Sequence, residues 1–236
     1  MSRGRASPEQ RSDARRAIGG LYAVTPDEPD TGILARKVRQ ALEGGARLLQ
    51  YRNKTIDARM RRRQAATLLG LCREAGVPLI INDDLALALE LGADGVHLGR
   101  GDTPIAEARS TLSPDRIVGV SCYASLERAR DANRAGATYV AFGSAFPSTT
   151  KPGASHAPLS LYREARDTRL GCPVVAIGGI TARNAGVLVE AGAAAVAVIA
   201  DLFEAPNIAQ RAQEFARLFE SRNATPGMQS SHRDPP

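Results

Sequence analysis

Four short stretches decide how this chain folds: EGGARLLQ (43–50), LGADGVHL (91–98), AGATYVAF (135–142) and AGAAAVAV (191–198). In each, a glycine (Gly45, Gly92, Gly136, Gly192) stands where an ending helix needs a left-handed residue, the conformation glycine adopts without a Cβ penalty. Alanine then starts the turn into a short apolar strand. The glycines are 47, 44 and 56 residues apart, which leaves room for two strand–helix units per interval. Working outward, apolar runs read as strands at 21–25, 48–52, 78–82, 95–98, 117–121, 139–142, 173–177 and 195–199. Helical spacing fills the gaps, at 33–43, 57–75, 85–91, 105–112, 126–134, 159–167, 185–190 and 208–220. Alternating strand–helix units imply a parallel sheet. Eight of them in 236 residues fit an α/β fold, a single (β/α)8 TIM barrel over 18–221, better than an open flavodoxin-like sheet. The ends, 1–17 and 222–236, are rich in Pro, Ser, Gly and Arg and read as disordered tails.

Composition narrows the function classes. The formal net charge is +6, but residues 1–17 carry a surplus of +3 and residues 222–236 of +1, leaving +2 for the 204 residues between. A basic stripe with aromatic platforms for bases is missing, which argues against nucleic acid. Arg59, Arg61, Arg62 and Arg63 read as a solvated helix face. No apolar run approaches the roughly 18 residues of a membrane span. The N-terminal residues lack the apolar segment of a secretory signal, so a cytoplasmic protein is expected. Cys72, Cys122 and Cys172 form no CxxC pair and read as small buried residues rather than a disulfide or zinc framework. A homo-oligomer is left open.

A barrel of this type places its reacting groups at the C-terminal strand ends and the loops that follow. Gln50, Arg52 and Lys54 alternate after strand two and should face one way. Asn82 and Asp83 end strand three, Asp102 follows strand four, and Ser121 ends strand five. The loop after strand six carries Ser148, Thr150 and Lys151. Gly178 and Gly179 end strand seven, and Ile199 and Ala200 end strand eight. Arg52, Lys54 and Lys151, with no acidic partner nearby in sequence, suit a phosphate or pyrophosphate. Asp83 and Asp102 would repel such an anion unless a cation lay between, and Mg2+ binds through one or two carboxylates plus phosphate oxygens. The glycine turn and the loop after strand eight suit a second phosphate held by main-chain N–H groups.

Taken in order, QYRNK, INDD, GVHLGRGD, GVSCY, FPSTTK and AIGGI resemble the thiamine-phosphate synthase family over most of residues 20–203. The resemblance implies a transferase of thiamine biosynthesis. It would join an aminomethyl-pyrimidine pyrophosphate to a thiazole phosphate with release of pyrophosphate, using Mg2+ and no partner beyond its small-molecule substrates. It further implies that Gln50, Arg52, Lys54, Asn82, Ser121 and Lys151 hold the pyrimidine pyrophosphate, with Arg52, Lys54, Ser121 and Lys151 as the catalytic set. Asp83 and Asp102 would hold Mg2+, and Ser148, Thr150, Gly179, Ile199 and Ala200 the thiazole phosphate. Two departures stand out: Ala200 replaces a serine common in the family, and Arg100-Gly101 replaces Gln-Glu before Asp102. Relatives of different function are a thiazole tautomerase, which binds thiazole phosphate without joining it, and a non-catalytic phosphate-binding barrel.

Several of these residues also have plain structural readings. Asp83 could cap the helix at 85–91, although Asp84 is better placed for that. Asp102, before Thr103-Pro104, could serve turn chemistry. His97, between Val96 and Leu98, reads equally as a satisfied structural histidine or a functional one. His156 reads as exposed. Arg100-Gly101-Asp102 is a chance tripeptide, and Gly99-x-Gly101 lacks the third glycine of a dinucleotide fingerprint.

Overall fold

The computed structural model describes residue 15 and residues 17–147 and 156–223. Gly45, Gly92, Gly136 and Gly192 take φ values of 97°, 63°, 97° and 117°, and each releases the chain into an even-numbered strand as the four stretches require. The strands are β1 (Gly20–Val24), β2 (Ala46–Tyr51), β3 (Leu79–Asn82), β4 (Gly95–Leu98), β5 (Ile117–Tyr123), β6 (Tyr139–Phe142), β7 (Val174–Ile177) and β8 (Ala195–Val198). They pair in parallel, in sequence order, into a closed barrel. Closure is visible at Leu21, which pairs with Ala46 of β2 on one side and Val196 of β8 on the other. That excludes the open sheet.

The helices among the described residues are α1 (Thr31–Glu43), α2 (Ala58–Ala75), α3 (Leu85–Leu91), α4 (Ile105–Thr111), α5 (Leu126–Arg134), α6 (Leu159–Asp167), α7 (Ala185–Ala191), α8 (Ala200–Phe203) and α9 (Ile208–Asn223). Eight of these were legible from periodicity. The ninth, α8, has four residues, too few for any 3.6-residue repeat to register. Asp30, Asp57, Asp84 and Ser125 cap α1, α2, α3 and α5 by accepting a hydrogen bond from a first-turn N–H. The cap of α3 is thus Asp84, and Asp83 is released for other work. At the N-terminal side, Arg15 donates to the Gly171 carbonyl (2.6 Å) and to Asn133 Oδ1 (3.1 Å). The rest of the expected tails falls almost wholly outside the described residues.

Period-two alternation divides the core into two layers. Leu49 and Tyr51 of β2 face outward and pack with Leu34 of α1 and Leu68 of α2. Leu48 faces the barrel axis, with Tyr22, Ile80 and Tyr139. Tyr139 can stand there because position 119 on neighbouring β5 is glycine: a Cβ at Gly119 would overlap the Tyr139 Cζ and Oη atoms.

Behind β2 lies a buried polar clamp. Gln64 of α2 is fully buried. It accepts from Tyr51 Oη (3.0 Å) and Asn53 Nδ2 (3.2 Å), and donates to the carbonyls of Glu28 (2.9 Å) and Pro29 (3.2 Å). With Tyr51 and Asn53 anchored outward, the alternation turns Arg52 and Lys54 toward the barrel mouth. Gln64→Leu keeps the volume but leaves buried donors and acceptors unpaired, so it is expected to cost about 2–3 kcal/mol. A urea unfolding midpoint unchanged from wild type would show that the clamp contributes nothing.

Candidate active site

At the C-terminal mouth of the barrel lies a cavity of about 430 Å³. Gln50, Arg52, Lys54, Asn82, Asp83, Ser121, Gly179, Ile199 and Ala200 all border it, so nine of the thirteen expected site residues converge on one space. Asp102 lies just behind this rim, in the loop after β4, where its Oδ2 accepts from the Gly99 N–H at 2.6 Å. Ser148, Thr150 and Lys151 lie outside the described residues. The chain on either side of them meets at the mouth, where the Ala157 N–H donates to the Ser144 carbonyl at 2.8 Å.

Arg52 and Lys54 are not unpartnered. Their partners come from other loops, which sequence proximity could not reveal. Asp27, in the loop after β1, takes Arg52 Nη1 on both carboxylate oxygens at 3.1 Å and the Lys54 backbone N–H at 2.8 Å. It engages a single guanidinium nitrogen, and so aims the Arg52 side chain more than it consumes its donors. Lys54 Nζ lies 3.5 Å from Asp83 Oδ2. Asp27 sits in TPDEPDTG, where nothing in the spacing marks it.

Asp83 has φ = 63°, a left-handed conformation that aspartate tolerates better than most residues. Its backbone N–H is held by the His97 carbonyl at 2.9 Å. So placed, its carboxyl is pushed above the ordinary carboxylate range, first by desolvation, then by hydrogen bonding and repulsion from Asp102, with Lys54 opposing. Two carboxylates from separate loops, with Asp102 close enough to disfavour the charge on Asp83, form an electrostatic conflict that a hard cation relieves. Among the described residues no group of three or more His, Cys, Asp or Glu is placed to hold a metal ion. This donor set therefore suits an ion that takes only one or two protein ligands and completes its shell with phosphate oxygens and water, as Mg2+ does.

The opposite rim is built from main chain. Gly178 and Gly179 have φ of 90° and 64°. A Cβ at Gly179 would lie 2.6 Å from the Phe146 carbonyl oxygen and nearer still to that of Pro147. Ala200 opens α8, whose first turn carries N–H groups that a helix leaves without internal partners. Asp201, one residue on, is turned away: its Oδ2 pairs with Arg211 at 2.7 Å and accepts from the Ala182 N–H at 3.0 Å. Missing the serine hydroxyl, Ala200 still presents its backbone here.

Tyr22 and Tyr139, fully buried strand residues, line the base of the cavity, together with His97. His97 is no isolated core histidine: Nδ1 lies 2.8 Å from Tyr139 Oη and Nε2 2.9 Å from Ser121 Oγ. At the edge, Tyr123 (φ = 56°) follows a register shift in β5 and carries Arg100 and Arg128 against its ring, 5.0 and 5.3 Å from the centroid. The departure at Arg100 thus forms a cation–π contact. Arg61, expected on a solvated face, instead borders a second space of about 280 Å³ beside Arg52, Lys54 and Asp83, whereas Arg59, Arg62 and Arg63 are exposed. His156 is exposed as expected. Burial pushes the thiols of Cys72 and Cys122 up to about 12 and that of Cys172 to about 11, so none is a thiolate nucleophile at neutral pH.

Comparison with known proteins gives the family. A family model described as thiamine monophosphate synthase matches residues 21–202. The thiamine-phosphate synthase of Chromobacterium violaceum is 55% identical over 205 residues, covering 87% of this chain and 98% of that protein. That of Thiobacillus denitrificans is 54% identical over 201 residues, covering 85% and 95%. Among solved structures, a thiamine phosphate pyrophosphorylase from Pyrococcus furiosus superposes with a TM-score of 0.78 at 34% identity, covering 88% of this chain and 98% of the other. No helix among the described residues is long and apolar enough to cross a membrane. The chain belongs to the thiamine monophosphate synthase family.

Proposed function

We propose that this cavity joins 4-amino-2-methyl-5-hydroxymethylpyrimidine pyrophosphate to 4-methyl-5-(2-hydroxyethyl)thiazole phosphate, giving thiamine phosphate and pyrophosphate. The observation that carries the reading is the pairing of Asp83 with Asp102 beside Lys54, at the rim of a cavity whose far side is the Gly179–Ala200 main chain. One rim suits a metal-bound pyrophosphate and the other a phosphate monoester. The floor between them has room for the two rings to be joined. A thiazole tautomerase would need only the second rim, so the retained carboxylates favour joining.

In this reading Asp83 and Asp102 hold Mg2+, which when bound supplies charge neutralisation for the pyrophosphate oxygens. Arg52, aimed by Asp27, and Lys54 donate to the same leaving group, together with Lys151, Gln50 and Asn82 position the pyrimidine end, and Ser121 lies between. The bond to break is the one from the pyrimidine methylene carbon to the pyrophosphate oxygen. Charge builds on that oxygen as the bond lengthens, and preorganised donors stabilise it there more than in the ground state. The electron-rich aminopyrimidine carries the cationic carbon until the thiazole nitrogen adds its electron pair. Ser148, Thr150, Gly179, Ile199 and Ala200 hold the thiazole by its phosphate, at a distance from the reacting nitrogen, so that binding energy is spent on orientation. The bond-forming step needs no general base, in keeping with buried, protonated thiols. Such an enzyme would work in the cytoplasm.

The test is a two-substrate assay with purified protein and Mg2+, following thiamine phosphate. Product formation dependent on both substrates is expected. Folded protein that yields none above background would overturn the reading.

A further inference from the structure

Below the mouth, five side chains form one unbroken hydrogen-bonded line across the barrel. Gln50 Nε2 lies 2.9 Å from Tyr22 Oη, and Tyr22 Oη lies 2.8 Å from Tyr139 Oη. Tyr139 Oη is 2.8 Å from His97 Nδ1, and His97 Nε2 is 2.9 Å from Ser121 Oγ. Both tyrosines are buried to within 1% exposure. The ring of Tyr139 stacks on His97 at a centroid distance of 5.7 Å and meets Tyr22 edge-on at 5.9 Å, and the missing Cβ at Gly119 admits it. This is a built arrangement, reaching from β2 to β5.

Each hydroxyl in the line has a single hydrogen, so fixing one direction fixes all. Gln50 presents its amide nitrogen to Tyr22 and therefore donates. Tyr22, accepting from Gln50, passes its hydrogen to Tyr139, because a buried O–H must find an acceptor. Tyr139 in turn donates to His97 Nδ1. A neutral imidazole that accepts at Nδ1 carries its proton on Nε2. His97 then donates from Nε2 to Ser121 Oγ, and the hydrogen of Ser121 is left to point into the cavity.

We infer that His97 is a positioning residue: held as its Nε2–H tautomer by the Gln50–Tyr22–Tyr139 line, it makes Ser121 a hydrogen-bond donor toward the substrate. The kinetic consequence rests on the synthase reading above; the tautomer does not. Without the line, the serine hydroxyl could spend its hydrogen on the imidazole and present only lone pairs to the cavity. The same line couples the Gln50 amide to Ser121 on the far side of the floor, because reversing one end reverses every bond between.

Two measurements on the full chain test this. The first is the ring-nitrogen NMR of 15N-histidine-labelled protein without ligands, with His97 assigned by comparison with His97→Gln. Wild type is expected to show protonated Nε2 and unprotonated Nδ1, and Tyr139→Phe to lose that single-tautomer pattern. A His97 protonated at Nδ1 in wild type would overturn the inference, whatever the protein catalyses. The second is a kinetic comparison. His97→Gln, whose amide can donate from nearly the place of Nε2, should keep kcat within a few-fold. His97→Phe should lower kcat about 10-fold or more, the effect of one lost orienting hydrogen bond, with KM for the thiazole phosphate unchanged. Combined with Ser121→Ala, His97→Phe should add nothing further, since both changes remove the same donor. Additive losses, or an equal fall for Gln and Phe, would make His97 merely structural. If His97→Phe fails to fold, Tyr139→Phe with and without Ser121→Ala gives the same comparison.

Discussion

Asp83→Asn is expected to lower the joining rate roughly 10²–10³-fold, the usual loss when a main electrostatic stabiliser is removed, while raising the melting temperature of the metal-free protein. Asparagine is the right substitution because, like aspartate, it tolerates the left-handed backbone at this position (φ = 63°). The gain in stability follows from the sign of the pKa shift. Asp83 is held above the ordinary aspartate value of 3.8 by desolvation and by Asp102, so the fold binds its proton more tightly than the unfolded chain does. Such a group favours the folded state at low pH and opposes it once pH rises past both values. At neutral pH the wild-type chain therefore carries an unfavourable charge, and Asn removes it. Lys54 offsets part of that cost, and the carboxylate is over a third exposed, so the stabilisation is expected to be small. Mg2+ with pyrophosphate should raise the melting temperature of wild type more than that of Asp83→Asn. A variant that melts below wild type without metal, or that keeps its activity, would refute the assignment.

Gly179→Ala is expected to abolish turnover by removing the second rim. Two independent penalties meet at this position: φ = 64°, and a Cβ 2.6 Å from one carbonyl oxygen and nearer still to a second. Both carbonyls belong to backbone that cannot simply rotate aside. A left-handed non-glycine residue alone costs about 1–2 kcal/mol, and the overlap must displace either the glycine turn or the chain at 146–147. The thiazole phosphate should bind at least about 10-fold more weakly, since 1.4 kcal/mol is a factor of ten. Calorimetric affinity for the pyrimidine pyrophosphate with Mg2+ should be nearly unchanged. Equal loss of both ligands would mean that the two rims are not separate subsites.

How much of this was legible beforehand differs from layer to layer. The barrel was readable because its signal is repeated and local: a capping glycine, an alanine and an apolar strand recur before every second strand, and each conforms whatever its neighbours do. The convergence of Gln50, Arg52 and Lys54 was readable for a similar reason, since alternation on one strand is a local property. Asp84 as the cap of α3 follows from position alone, and that left Asp83 for the rim. α8 was hidden by its length, and the end of β5 by the register shift before Tyr123.

The partners of the site residues were not readable. Asp27 meets Arg52 across 25 residues, and Gln64 meets Tyr51 and Asn53 from the next helix. Tyr22 and Tyr139, separated by 117 positions, are two aromatic strand residues in the sequence and two links of one hydrogen-bonded line in the fold. His97 is the sharpest case. By sequence alone it read equally as structural or functional, because the identity of its neighbours on β4 says nothing about which atoms face its two nitrogens. The sequence by itself determined the periodicities, the caps and the residue types gathered at each strand end, since those depend on the chain within a few residues. Only the tertiary structure decided which charges face one another and which side chains join in one hydrogen-bonded line. Those depend on distances of 2.8 to 3.5 Å between strands and loops that are brought together only when the barrel closes.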